Sequence, residues 1–374
     1  MKKIIPLILF VVLFSGCTIS TINELDYVDE IKIGFIGPLS GDMESYGLPI
    51  KNSVEMAVND INDAGGIRKK DIKMFYEDGK CEEDSAREAA RKLVYEDKVN
   101  AIIGGVCSGE TLAAAEITEP AGVVLITPSS SSPVVTLAGD YVFRNTTSDA
   151  DLEKAMASHI SKNYQTIAVI SENTEYAQHL HDVFVDEYEN NGGAIVVDET
   201  FYSYTTDFSD IINEIKKSSA EAVFINPQSE TAGGNIIKLA STSKLNLPLF
   251  GTNVVAGATA LSIAGPTADG VVVIDNPPLD KSNPTAQDFL KRYQQLYGTP
   301  TFEFYLGAAY DDVSLLAQAI EEIGLQGENI KNYFYKLKNY SGVIGDYRFD
   351  SNGDLVWIQY SLKEIKGGSV VEVN

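Results

Sequence analysis

The chain has 374 residues, is 44% hydrophobic and 9% aromatic, and carries a formal charge of −24. The length exceeds what one core usually supports, so two domains are expected, and the composition excludes a disordered or fibrous chain. So acidic a surface keeps the protein soluble and makes it a poor partner for nucleic acid, whose binding rests on cationic contacts to phosphate.

Residues 2–16 read as an export signal. Lys2 and Lys3 supply the positive start, and residues 4–14 form an apolar run too short to span a bilayer. The run ends in Phe14-Ser15-Gly16-Cys17, which resembles the lipobox of prokaryotic lipoproteins, where the Cys receives lipid and becomes the mature N-terminus. Phe14 stands where that motif usually has Leu, and an ordinary secretory signal is the alternative. Residues 17–30 are polar and aperiodic, as a tether would be. The expected location is therefore outside the cytoplasm, lipid-anchored on the outer face of the cytoplasmic membrane. There are three cysteines. With Cys17 lipidated, Cys81 and Cys107 remain, either as an oxidised pair worth roughly 3 kcal/mol or as two buried thiols; the exported compartment favours the pair.

Residues 31–37 form a first strand, with a turn at Pro38-Leu39-Ser40-Gly41. The next helix places Ile50, Val54, Ala57, Val58 and Ile61 on one face, and Gly65-Gly66 ends it. Residues 72–76 make a second strand. Residues 81–98 make a helix whose first turn carries Glu82, Glu83 and Asp84, matching the dipole. Residues 101–106 and 123–126 are continuous apolar runs, as buried parallel strands are, separated by a helix over 109–119 that stops near Pro120. Both runs end in small polar residues: Ser108 after the first, and Ser129, Ser130 and Ser131 after the second. Ligands of open α/β sheets sit just past the carboxyl ends of the strands. Hydroxyls and free backbone N–H groups there suit a carboxylate or an amide. One Ser-rich loop is most simply a solvated turn; two such loops, one helix apart, point to a site.

Residues 141–147 lack helical spacing and read as a crossing. The alternation then restarts, with strands at 166–171, 194–199, 222–226, 249–252 and 270–274 and helices at 175–191, 207–218 and 233–243. Asn276-Pro277-Pro278 marks a second crossing. Helices at 285–297, 306–323 and 330–338 follow, and residues 345–349, 356–362 and 370–373 alternate like antiparallel strands. The expected fold is α/β: two doubly wound parallel-sheet lobes, the first of residues 31–146 with 277–341, the second of 147–276 with 342–374. Three crossing strands would make a hinge, and the cleft between lobes is a preferred ligand site.

Signals for catalysis are weak. His179 and His181 lie two apart on a helix and do not share a face, so they read as surface residues and not as metal ligands. The sequence holds no His-Glu-x-x-His, Gly-x-Ser-x-Gly or phosphate-loop pattern, and no metal or cofactor is expected. Asp78, Asp311 and Asp312 are candidates for a place near the cleft, and a cleft hydrolase is the enzymatic alternative.

From about residue 31 to 373 the chain resembles the type I periplasmic binding proteins, in particular the leucine/isoleucine/valine-binding proteins of ABC importers. The resemblance rests on Ile33-Gly34-Phe35-Ile36-Gly37-Pro38-Leu39-Ser40-Gly41, Asp60-Ile61-Asn62-Asp63-Ala64-Gly65-Gly66-Ile67, Ile102-Ile103-Gly104-Gly105-Val106-Cys107-Ser108, Ile126-Thr127-Pro128 and Ala309-Tyr310-Asp311. It implies a small polar solute, such as an amino acid or amide, captured by a monomer and handed to membrane permease subunits. Reporting to a sensory receptor is an alternative role for the same fold. The resemblance also implies that Ser108 bonds the ligand carboxylate and that Ser129, Ser130 and Ser131 bind through backbone and hydroxyl groups. Tyr176 is implied to close over the ligand, Tyr46 and Tyr305 to line the site, and Cys81 and Cys107 to form a disulfide. Two positions depart from the family pattern: Asn253 stands where the family has an acidic partner for the substrate ammonium, and Gln228 aligns near an aromatic.

Overall fold

The computed structural model describes Leu25 and residues 28–41, 43–356 and 360–373. The export signal at 2–16 and Cys17 lie outside the described residues. The first sheet contains β1 (Ile31–Gly37), β2 (Ile72–Asp78), β3 (Ala101–Gly104), β4 (Val124–Thr127) and β5 (Val142–Arg144), all parallel, in the order β2-β1-β3-β4-β5. The order reverses between β1 and β3, so the crevice past the carboxyl ends opens there. Both faces of these strands are apolar because helices cover both. Ile33, Phe35, Ile103 and Ile126 meet Ile50, Val54 and Ala57 of α1 (Glu44–Asp63). Ile36, Ile102 and Leu125 meet the alanines of α2 (Glu83–Arg91) and α3 (Ser108–Ala121). Fully burying an Ile or Phe contributes about 1.5–3 kcal/mol, so these two layers hold the first core.

After β5 the chain passes to a second core. Residues 141–147, expected as a plain crossing, thus first complete the sheet. A helix the sequence reading lacks, α4 (Asp149–Ser161), comes next, with the Ser148 hydroxyl accepting from the Ala150 N–H at its start. Then follow β6 (Thr166–Glu172), α5 (Glu175–Asn190), β7 (Ala194–Phe201), α6 (Ser209–Lys217), β8 (Ala222–Asn226), α7 (Glu230–Thr242), β9 (Leu249–Gly251), the short α8 (Ala258–Ala264) and β10 (Val272–Asp275). Ile170, Val223, Ile225 and Val273 pack on Ile212, Ile215, Ile236 and Ile237 of α6 and α7. On the other face, Val169 and Phe224 pack on Leu152, Met156 and Ile160 of α4 and on Phe184 of α5, whose ring stacks on Phe224 at 3.9 Å.

The chain returns to the first core as α9 (Pro284–Tyr297), α10 (Glu303–Ile323) and α11 (Gly327–Lys336), and α10 lies against α1. Next comes a small antiparallel sheet of β11 (Tyr340–Gly342), β12 (Gly345–Phe349) and β13 (Leu355–Val356). Residues 342–374 are expected together in the second lobe, but β12 and β13 lie in the first core. Val343, Ile344, Tyr347, Phe349 and Leu355 are buried in the first core. The Asp311 carboxylate fixes them there by accepting from the Val343 and Ile344 N–H groups at 2.8 and 3.0 Å. Only β14 (Ser361–Lys366) and β15 (Ser369–Glu372) join the second sheet, with β14 antiparallel to β10, giving the order β15-β14-β10-β9-β8-β6-β7. No helix among the described residues is long and apolar enough to cross a membrane.

Candidate functional site

The carboxyl ends of both sheets face one cavity of 610 Å³. Ser108, Ser129 and Ser131 line it from the first core, and Tyr176, Gln228, Asn253 and Asp275 from the second. Tyr46, Phe302 and Tyr305 close its side.

The first wall is built around the N-terminus of α3. Ser108 is the first residue of that helix, so its N–H has no partner within the helix, and the helix dipole favours an anion at this point. The Ser108 hydroxyl accepts from the Ser132 N–H at 3.2 Å and so keeps its own proton for a ligand. The loop before it is held by Glu110. Its carboxylate accepts from the N–H groups of Cys81, Val106 and Cys107 at 2.8–3.0 Å. Burial pushes the Glu110 carboxyl up to about 7 against those three bonds. The Cys81–Cys107 disulfide ties the same loop to the start of α2.

The second serine loop divides its tasks. The Ser129 hydroxyl donates to the Val106 carbonyl at 2.9 Å, and the Ser131 hydroxyl to the Asp149 carboxylate at 2.6 Å. Ser130, expected on the ligand, is fully buried and points away from the cavity. Its hydroxyl lies 2.9 Å from the Gly105 carbonyl and 2.7 Å from the Thr111 hydroxyl, and its N–H donates to the Thr127 hydroxyl. Thr111 and Thr127 donate to the same carbonyl, so Ser130 completes an internal anchor. Behind the loop, the buried Arg144 guanidinium donates to the carbonyls of Ser131 and Ser132 and pairs with Asp354 at 2.7 Å.

The second wall meets the first at several places, two of them through a carboxylate. Tyr176, in the first turn of α5, donates to the same Asp149 oxygen as Ser131, at 2.8 Å. Burial, with Asp149 beside it, drives the Tyr176 hydroxyl far above the usual range, so it stays a donor; burial also raises the Asp149 carboxyl. At the other place, Tyr46 of α1 donates to Glu230 of α7 at 2.7 Å. The Tyr46 ring stacks on Phe302 at 4.1 Å. The second Glu230 oxygen accepts from the Thr259 N–H at 2.7 Å, and a side chain at Gly257 would displace this carboxylate. Gln228 is exposed at the rim. Its N–H and that of Ser229 donate to Glu172, which sets the turn into α7.

The three candidate acids do not reach the cavity. Asp311 and Asp312 are buried in the first core, Asp312 on the Asn145 amide, and Asp78 caps the turn at Leu39 and Ser40. His181 is half-buried against Ser171 and Asp198, not on the surface. The sequence reading misses Asp275, Lys363, Phe302, Asp149 and Glu230. Asp275 ends a strand exactly as Ser108 follows one, so the strand-end rule points to it. Lys363 arrives from a distant hairpin, and no local pattern marks it.

The family model for periplasmic binding proteins matches residues 30–368. The chain belongs to this family. Within it, this binding protein is a type I member of the branched-chain amino acid group. The Leu/Ile/Val-binding protein of Escherichia coli K12 is 26% identical to it over 355 residues, 94% of this chain and 95% of that relative. The crystal structure of LivJ from Streptococcus pneumoniae, a branched-chain amino acid transporter substrate binding protein in complex with isoleucine, is similar with a TM-score of 0.81 and 29% identity, over 92% of this chain and all of that one. The leucine binding protein LivK from Thermotoga maritima gives 0.83 and 25%, over 92% of this chain and 98% of that one. These relatives are binding proteins and not enzymes.

Proposed function

We propose that this binding protein captures a small amino acid, or a related amide or carboxylate, outside the cytoplasm and delivers it to the permease of an ABC importer. The observation that carries the reading is the cavity between the two cores, walled on one side by Ser108, Ser129 and Ser131 and on the other by Tyr176, Gln228 and Asn253. The ligand carboxylate sits at the N-terminus of α3, taking the Ser108 hydroxyl proton and free N–H groups of the first turn. Ser129 and Ser131 face it from the neighbouring loop. The second lobe then closes about the crossings at residues 144–149 and 275–279, bringing Tyr176 and Asn253 over the solute. Closure removes water, which strengthens the few polar contacts inside. The protein acts as a monomer anchored through lipid on Cys17, and the closed shape is what the permease reads.

Native mass spectrometry of the purified protein, followed by calorimetry with L-leucine, L-isoleucine and L-valine, tests this. A co-purified small solute or saturable binding of one of these is expected. A protein that retains no solute and binds none of the three refutes the reading.

A further inference from the structure

We infer that Phe302 is a positioning residue for closure of the lobes: its ring holds the Tyr46 and Tyr305 side chains where both hydroxyls meet the second lobe. The inference rests on the binding role proposed above and goes beyond it, since it concerns how the lobes shut and not what they hold. Phe302 breaks two local rules at once. It begins α10, yet a helix start is best served by Ser, Thr, Asp or Asn, and Phe302 offers no side-chain cap. Its backbone is also left-handed, with φ 52° and ψ 47°, where a bulky residue is a genuine outlier. Among the described residues other than glycine that have a positive φ, it is the only aromatic one. A position that defies both rules persists where its surroundings hold it and function uses it.

The surroundings do hold it. Residues 298–302 are the whole link between α9 and α10, which both pack on α1, and the Phe302 carbonyl accepts from the Leu306 N–H at 3.2 Å to open α10. The side chain lines the cavity. Its ring stacks on Tyr46 at 4.1 Å with 23° between the planes, and lies 6.4 Å from the Tyr305 ring at 30°. Both separations are those of favourable aromatic pairs, and Phe302 is the ring common to the two. Each flanking ring ends in a hydroxyl that reaches the second lobe. Tyr46 donates to Glu230 at 2.7 Å, and the Tyr305 hydroxyl lies 3.5 Å from Asn253 Nδ2. Phe302 itself has no polar tip and makes neither bond. A return to an ordinary helical φ of about −63° would turn its Cα–Cβ bond away and take the ring from between the two tyrosines. The strained backbone therefore preorganises two contacts with the second lobe, one on α7 and one just past β9.

Phe302→Asn suits both the left-handed backbone and the helix start. Its urea midpoint, measured on the full solute-free chain, is expected to equal or exceed that of wild type. Its release of L-leucine in stopped flow is expected to be faster by tenfold or more, and its solute-free radius of gyration by small-angle scattering larger. Phe302→Tyr keeps the ring and is expected to match wild type in release and in dimensions. Phe302→Leu, apolar but without a flat face, is expected to release L-leucine faster than wild type and to be larger when solute-free; it carries the test if Phe302→Asn does not fold. Unchanged release and dimensions in Phe302→Asn overturn the assignment. So does a urea midpoint that falls together with affinity, because a residue that only supports the fold behaves in that way, and so does a Phe302→Tyr chain that releases as fast as Phe302→Asn. Wild type that binds none of L-leucine, L-isoleucine and L-valine overturns the binding role alone, and the dimensions of the solute-free variants then still decide the part played by Phe302.

Discussion

The bond from Tyr46 to Glu230 joins α1 of the first core to α7 of the second, and its two ends are fixed independently: the ring on Phe302, the carboxylate on the Thr259 N–H. Among the described residues, Glu230 does not line the cavity, so replacing it touches no solute. A hydrogen bond to a charged acceptor contributes about 1.5–3 kcal/mol net. If the bond forms only when the lobes are shut, its loss lowers the closed fraction by about tenfold or more, at about 1.4 kcal/mol per factor of ten, and the apparent Kd rises in proportion. Glu230→Ala and Tyr46→Phe should therefore each weaken solute binding, chiefly through faster release. In a double-mutant cycle, the pair should show a coupling of about 1 kcal/mol or more. Stopped-flow release rates give the kinetic part, and small-angle scattering of the solute-free variants should show a larger radius of gyration than wild type. Strictly additive effects on Kd, with unchanged release and unchanged dimensions, would refute the idea that this bond holds the lobes together.

Other outcomes follow from the same geometry. Ser108→Ala and Ser131→Ala should each weaken binding by tens-fold, at about 1–3 kcal/mol per lost bond, as read by calorimetry; unchanged affinity would remove them from the site. Reducing the Cys81–Cys107 bridge, which spans a sequence separation of 26, should lower stability by about 3–4 kcal/mol in urea unfolding and loosen the loop that carries Ser108. Glu110 titrates at about 7 when folded, against 4.5 as its ordinary value. The folded protein therefore holds the extra proton between those values. The stability this contributes is fully present below about pH 4.5 and is lost as pH rises through 7, a change of about 3 kcal/mol. Urea midpoints of wild type and Glu110→Gln across pH 4.5–8 should differ by that slope; parallel curves would show that Glu110 does not titrate there.

Much of the fold is legible from periodicity because β1 to β10 run parallel within their sheets and the central ones are buried on both faces, which makes β3, β4, β6 and β8 nearly continuous apolar runs. The site's serines are legible for a related reason, since a strand's end places whatever follows it in the crevice. α4 leaves a readable trace, Leu152, Met156 and Ile160 at four-residue intervals behind a Ser cap, which the apparent crossing before it conceals. Which core β11–β13 join is not written in their alternation. It is decided by Asp311, a buried carboxylate that the Val343 and Ile344 N–H groups satisfy, and that pairing spans more than thirty residues of chain. Ser130 illustrates the same limit within the site. Four consecutive serines, 129–132, look alike in sequence, and backbone direction alone turns Ser130 inward.

That inward turn has a consequence for how such a pocket changes its preferences. The hydroxyls of Thr111, Thr127 and Ser130 converge on the Gly105 carbonyl beneath the loop, out of the solute's reach. The loop's shape is thereby secured from below, while the side chains at 129 and 131 face the cavity above it, where their bonds to the Val106 carbonyl and the Asp149 carboxylate lie outside that anchor. A lineage can exchange those two for new specificities without rebuilding the scaffold, and a designer seeking an altered sensor should randomise them and leave the Gly105 hub untouched.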